Sequence, residues 1–259
     1  MRYDRVVWRP ALAWLAWLAA SAACSRPPLD EIDEVFYDWD GRRVLCAANL
    51  DEAAGNELDS VRSGLARAAE RGEVISLYAH RPGGTVSVER IEEVLDAADQ
   101  LGLDFVTYDD LAAGGPPRAA LSLSFDDAHV DEWFGLRDAF DAHGARVTFF
   151  VSRYDRLSDA RRDELRQLAD DGHAIEAHGL RHLDAPAYVE ANGLGAYLDD
   201  EADPSIDLLR ADGYDPVAFA YPFGTRTGEL DRALLERVAL VRSVTFSVES
   251  PLISDPCPE

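Results

Sequence analysis

Short apolar runs recur along this chain with helical periodicity between them, and that alternation limits the folds open to it. The runs are Val44 to Ala48, Val74 to Ala79, Phe105-Val106-Thr107, Ala119 to Phe125, Val147 to Val151, His173 to Ala177, Val217 to Tyr221 and Val244 to Val248. Short uninterrupted runs of this kind read as strands buried on both faces. Between them Leu58, Val61, Leu65, Ala68 and Ala69 share a helix face, as do Ile91, Val94, Leu95, Ala98 and Leu101. Val130, Trp133, Phe134, Leu136 and Phe140 suit another helix, Leu157, Leu165 and Leu168 one that stops at Gly172, and Leu230 to Val238 a last. Gly114-Gly115-Pro116-Pro117 breaks the chain between the third and fourth runs. Strand–helix alternation predicts an α/β fold with a parallel sheet covered by helices. At 259 residues the chain can hold one large domain of this kind and a short leader.

Residues able to do chemistry fall at or just past the ends of these runs. Ser124-Phe125-Asp126-Asp127 closes one, His178 and His182 follow another, and Tyr221-Pro222-Phe223-Gly224 follows a third. In a barrel of parallel strands the carboxyl ends form the catalytic face. Two histidines and Asp127 suit a borderline divalent metal such as Zn2+ that keeps positions open for water and substrate. Such an ion polarises a carbonyl and acidifies bound water. Asp126, pointing the other way from Asp127 on the strand end, is placed to act as a base. Each piece alone has a bland reading. Asp109-Asp110, Asp170-Asp171 and Asp199-Asp200 are further acidic pairs, and two histidines four apart occur by chance on surface helices. The conjunction, in order and at strand ends, is what favours a site.

Those segments resemble the polysaccharide deacetylases with a NodB-homology domain, the carbohydrate esterase family 4 type, over about residues 74 to 250. Asp126-Asp127 matches the family's paired aspartates, Ala145 to Val151 its "ATFFV" strand, and Gly172 to His178 with His182 its histidine segment. Tyr221-Pro222-Phe223-Gly224 is similar to its R-x-P-Y-G motif. The resemblance implies a distorted, incomplete (β/α) barrel. It implies Asp126 as general base, Asp127, His178 and His182 as metal ligands, and the Phe223 backbone N–H as oxyanion donor. Tyr221 and Pro222 would then border the substrate. Two departures stand out: Ala220 where many members have an arginine that orients the aspartate, and Gly179 in place of Ser or Thr.

The family's general acid, a histidine near the C-terminus, has no counterpart here, because no histidine follows His182. Gly72 to His80, then Thr85 to Leu101, then Leu103 to Thr107 instead resemble the family's ordinary C-terminal end. The order therefore looks circularly permuted, as in deacetylases acting on poly-β-1,6-N-acetylglucosamine. His80 would take the place of the acid, and the alternative is a buried, hydrogen-bonded histidine ending a strand. Asp51 could tune His80 or simply be a loop residue. His129, His143 and His173 read as structural or solvated. Trp39, Trp133 and Tyr154 are candidates to stack on sugar rings, with helix core the stronger reading for Trp133.

The first residues carry Arg2, Arg5 and Arg9, then the apolar run Ala11 to Ala23 and Cys24. A basic start, a short apolar stretch and small residues describe an export signal over 1–23 rather than a membrane span. Ser21-Ala22-Ala23-Cys24 resembles a lipobox, so Cys24 is expected to carry a lipid anchor to the membrane; Ala20-Ser21-Ala22 offers an ordinary cleavage site instead. Residues 24–40 then read as an acidic tether, 41–250 as the domain and 251–259 as a tail. Cys46 and Cys257 could pair in an oxidising compartment, or stay a buried and a free thiol. With 25 basic and 49 acidic residues the formal net charge is -24, which excludes nucleic acid as a partner class.

The expected function is metal-dependent removal of N-acetyl groups from an exported or cell-wall polysaccharide by a monomeric protein of the cell envelope. Zn2+ is the expected cofactor, with Co2+ or Ni2+ as substitutes. Two other readings are open: a non-catalytic glycan-binding lipoprotein on the same fold, and a metal-dependent hydrolase of a non-sugar amide or ester.

Overall fold

The computed structural model describes residues 27–245 and 255–258. The strands are β1 (Phe36–Tyr37), β2 (Val44–Asn49), β3 (Val74–Ala79), β4 (Asp104–Phe105), β5 (Ala120–Asp127), β6 (Thr148–Val151), β7 (Ala174–Ala177), β8 (Ala218–Ala220) and β9 (Leu240–Val244). Seven of them close a ring of parallel neighbours in the order β2, β3, β5, β6, β7, β8, β9 and back to β2. The two barrel strands that come first in sequence thus sit between β9 and β5. β1 runs antiparallel along the start of β3, and β4 adds beside the start of β5.

Alternation along each strand divides two cores. Val44, Ala48, Ile75, Leu77, Leu121, Leu123, Phe125, Phe149 and Val241 face outward to the helices, among them Leu58–Arg71 and Val88–Leu101. Leu45, Val74, Ala120, Phe150, Ala218, Ala220 and Leu240 face the barrel interior. The helix Tyr108–Ala113 plugs the barrel's amino-terminal end, started by a capping box between Thr107 and Asp110. Tyr108 packs edge-on against Phe150, and its N–H donates to Thr148 Oγ1 at 3.0 Å. With its lower end plugged, the barrel opens toward the carboxyl ends of its strands.

Two expectations need correction. The last strand lies four residues before the expected Val244 to Val248, as β9. The segment expected as an acidic tether packs from Leu29 onward, in two short turns, Leu29–Glu31 and Asp33–Val35, followed by β1. Leu29, Ile32, Val35 and Phe36 are buried in the outer core, and Asp30, Glu31, Asp33 and Glu34 between them stay toward solvent. Spacing of about three residues puts one face of these turns inside, which a count of charges hides. The expected export signal and Cys24 lie outside the described residues. Among the described residues no helix is long and apolar enough to cross a membrane.

Candidate active site

Asp126 and Asp127 end β5, His178 follows β7, His80 follows β3, Asp51 lies beyond β2, and Phe223 follows β8. Because the strands are parallel, every one of these residues reaches the same rim of the barrel. Two of them, and His182 four residues after His178, sit in left-handed backbone: Asp127 at φ +86°, His182 at +64° and Phe223 at +61°. Side chains other than glycine rarely adopt this region, and such strain gathers at functional sites.

Asp127, His178 and His182 each direct one donor atom to a common point, with all three atoms within 4.8 Å of one another. Asp127 Oδ1 is 3.1 Å from His182 Nε2 and 3.9 Å from His178 Nε2. That oxygen is buried and has no hydrogen-bond partner among the described residues. His178 Nδ1 donates to the Ala220 carbonyl at 2.9 Å, which leaves its Nε2 lone pair facing the other two groups. Burial pushes the His178 pKa down to about 4, so its ring is neutral at neutral pH. Burial would raise Asp127, but the hydrogen-bonding contact with His182, helped by the histidines gathered around it, holds it below the usual carboxylate range. A neutral imidazole, an ionised carboxylate and an orphaned buried oxygen are the forms a divalent cation requires. The donor set fits such an ion.

Asp126 is buried inside the barrel mouth, where both of its oxygens accept from Arg242 Nη2. Arg242, on β9, is the residue that sequence reasoning missed. It is fully buried and stands over the rings of Tyr78, at 4.8 Å, and Phe150, at 5.0 Å. Its register partner across the ladder is Ala220. The position where a motif arginine was expected thus holds a small residue, and the cation arrives from the neighbouring strand. A strand of the expected register beginning at Val244 leaves Arg242 in a loop, which is why the signal was lost.

The His80 ring is tied down at Nδ1. Its Nδ1 lies 2.5 Å from Asp51 Oδ2 and its backbone N–H donates to Asp51 Oδ1 at 3.2 Å. Thr85 Oγ1 donates to the same Asp51 oxygen at 2.9 Å, and Trp133 Nε1 donates to the His80 carbonyl at 2.9 Å. Burial works against the imidazolium, but the Asp51 hydrogen bond and the charges of Asp126, Asp51 and Asp127 outweigh it and push the pKa up to about 9. With Nδ1 engaged, Nε2 is the nitrogen left for the cleft.

Among the described residues Phe223 is one of two large apolar side chains that stay exposed, and its ring meets His182 edge-on at 4.7 Å. The flanking residues differ from expectation. The Tyr221 side chain is fully buried, with its hydroxyl donating to Asp231 at 2.9 Å, and Pro222 is buried too. In the turn that follows β8 both side chains pack into the core, and Phe223 is the one left exposed at the rim. Trp133 and Tyr154 are likewise core residues, and Trp39 is half-buried against Arg118 and Tyr37. His129 Nε2 stands 3.8 Å from Asp127 Oδ2 at the edge of the site.

The polysaccharide deacetylase family model matches residues 113–238, the stretch from β5 to the helix before β9. No curated protein matches the chain by sequence. Among solved structures, IcaB from Ammonifex degensii is 19% identical with a TM-score of 0.56, covering 72% of this chain and 91% of that one. BC0361, a polysaccharide deacetylase from Bacillus cereus, is 15% identical at a TM-score of 0.56, over 70% of this chain and 62% of that one. A de-N-acetylase from Aggregatibacter actinomycetemcomitans is 14% identical at 0.54, over 69% of this chain and 96% of that one. The fold is therefore the NodB-type barrel, and with the family match across β5 to β8 it supports a deacetylase.

Proposed function

We propose that this chain removes N-acetyl groups from the amino sugars of an exported or cell-wall polysaccharide, with a divalent metal held by Asp127, His178 and His182. The observation that carries the reading is their convergence beside the Asp126–Arg242 pair and the His80–Asp51 pair, on one rim. The ion, Zn2+ or its substitutes Co2+ and Ni2+, would supply a Lewis acid for the amide carbonyl. Asp126, held by Arg242, takes a proton from the attacking water. The Phe223 backbone N–H is assigned to the developing oxyanion, which its left-handed turn at the rim favours. His80, kept protonated by Asp51, gives a proton to the leaving nitrogen. Acetate and a free amino sugar result.

Similarity to IcaB and to a de-N-acetylase favours an N-acetylated polymer as substrate. The placement of β2 and β3 between β9 and β5 is in keeping with the permuted order and with His80 as the acid. Export, by way of a signal over 1–23 with a lipid anchor at Cys24, accords with the Cys46–Cys257 disulfide, a bond that persists in oxidising compartments. The glycan-binding alternative rested on the absent arginine and on Gly179. Arg242 supplies the cation beside Asp126, so the first of those two supports falls away.

The test is acetate release from N-acetylglucosamine oligomers by metal-stripped and Zn2+-reloaded protein. Release should require the metal and should fall by about 10²-fold or more in Asp126→Asn. Undiminished release by Asp126→Asn at equal metal content, or none from the reloaded protein, would overturn the reading.

A further inference from the structure

Glu201 is a fully buried carboxylate that the proposed chemistry does not use. It lies on a π-helical turn, Leu198–Ala202, inserted between the helices Leu194–Tyr197 and Asp203–Ala211. Such turns shift one side chain out of helical register and recur at functional sites. Here the shifted carboxylate reaches the loop that carries His182. Oε2 accepts the Arg181 N–H at 2.7 Å and Oε1 accepts the Leu183 N–H at 2.8 Å. The Glu201 carbonyl also accepts the Leu180 N–H at 3.2 Å. The amides on both sides of His182 are thus held by one side chain, while His182 itself keeps its left-handed backbone.

Gly179 fits the same account. Its φ is +81°, and a Cβ there would stand 2.3 Å from Glu201 Oε1 and 3.4 Å from Pro222 Cγ. Its carbonyl accepts the Arg153 N–H at 3.1 Å, which fixes the start of the loop to the end of β6. The space a Ser or Thr side chain would fill after His178 is taken by the carboxylate. Glycine at 179 and glutamate at 201 are therefore two halves of one device.

We propose that Glu201 is a positioning residue for the metal centre: it grips the backbone on either side of His182 and so sets the direction of the His182 imidazole. This rests on the metal site of the proposed function. Partners that orient a ligand from behind are worth about 10- to 100-fold in metal affinity. Glu201→Gln keeps the shape but can accept only one of the two amides, and its NH2 faces the other.

The test is Co2+ titration of the metal-stripped chain, reading the dissociation constant and the visible absorption of the bound ion. Glu201→Gln should bind Co2+ about 10- to 100-fold more weakly with an altered spectrum. Glu201→Asp, which keeps the charge but is too short for both amides, gives the same readout should the first variant not fold. In the Glu201→Ala background, Gly179→Ala should cost less affinity than it does alone, because the clash is gone. Unchanged affinity and spectrum in folded Glu201 variants, with normal binding by the unaltered chain, would overturn this inference alone. No Co2+ binding by the unaltered chain would overturn the metal site and the inference together.

Discussion

Asp126 and His80 are each held by one charged partner, and the two partners differed in how readable they were. A fully buried guanidinium costs several kcal/mol unless it is paired. Arg242 meets that cost through Asp126 and the two ring faces beside it. In sequence it interrupts an apolar run, as a surface arginine would, so the pattern gave it no weight. Asp51 was visible as a candidate because it follows a strand-like run, as His80 does. The acid must be protonated to act, and the Asp51 hydrogen bond and neighbouring carboxylates, opposing burial, hold the His80 pKa up to about 9. Activity should therefore persist to alkaline pH and fall as the pH rises through the His80 value. Asp51→Asn removes the hydrogen-bonded charge, so the alkaline limb should move down by about one unit or more. A pH profile of kcat/KM for both proteins checks this, and an unmoved limb would take Asp51 out of the account.

At the scale of elements, the barrel was legible because parallel strands buried on both faces write themselves as apolar runs. The run Val74 to Ala79 matches β3 end to end, and Val147 to Val151 and His173 to Ala177 each miss by one residue. Elements that mix charge into a buried face were not legible. Strand β9 is one, for the sake of Arg242, and the N-terminal turns are the other. Leu29 is fully buried against the helix Leu58–Arg71, its N–H donating to Ser60 Oγ at 2.9 Å. A Cβ on Gly64 would come within 3.1 Å of the Leu29 Cβ, so that glycine lets the turn lie close. Arg67 extends the contact, its guanidinium 3.8 Å from the Phe36 ring centroid and paired with Asp33 and Glu73. The segment is thus part of the domain. Leu29→Ala should cost about 2–5 kcal/mol of unfolding free energy. A chain beginning at residue 41 should lose more than that. Urea midpoints would show it, and a midpoint unchanged in both would return the segment to the role of a tether.

Across the whole molecule, the ring is closed by ladders, and its latest strand in sequence, β9, must find one of its earliest, β2. Cys46 sits on β2, and its disulfide to Cys257 spans 211 residues of sequence with the Cα atoms 6.2 Å apart. Sequence left the pairing open because separation along a chain says nothing of separation in space. The β2–β9 pairing places Cys46 beside the last strand, within reach of Cys257. The tail is also held by Asp255, whose carboxylate accepts the Gly228 N–H at 2.7 Å, and by Arg226, which donates to the Pro256 carbonyl. Arg226 pairs with Asp231, the acceptor of the Tyr221 hydroxyl, so the strap adjoins the turn that presents Phe223. A crosslink over so long a loop removes much freedom from the unfolded chain, on the order of 2–4 kcal/mol of stability. Cys257→Ser paired with Cys46→Ser should therefore lower Tm by roughly 5–15 °C. Metal affinity should be unchanged, since none of the three ligands touches the strap. The same shift should follow reduction of the unaltered chain and should be absent when the double variant is reduced. A Tm that ignores both changes would mean that ladders and helices close the barrel unaided.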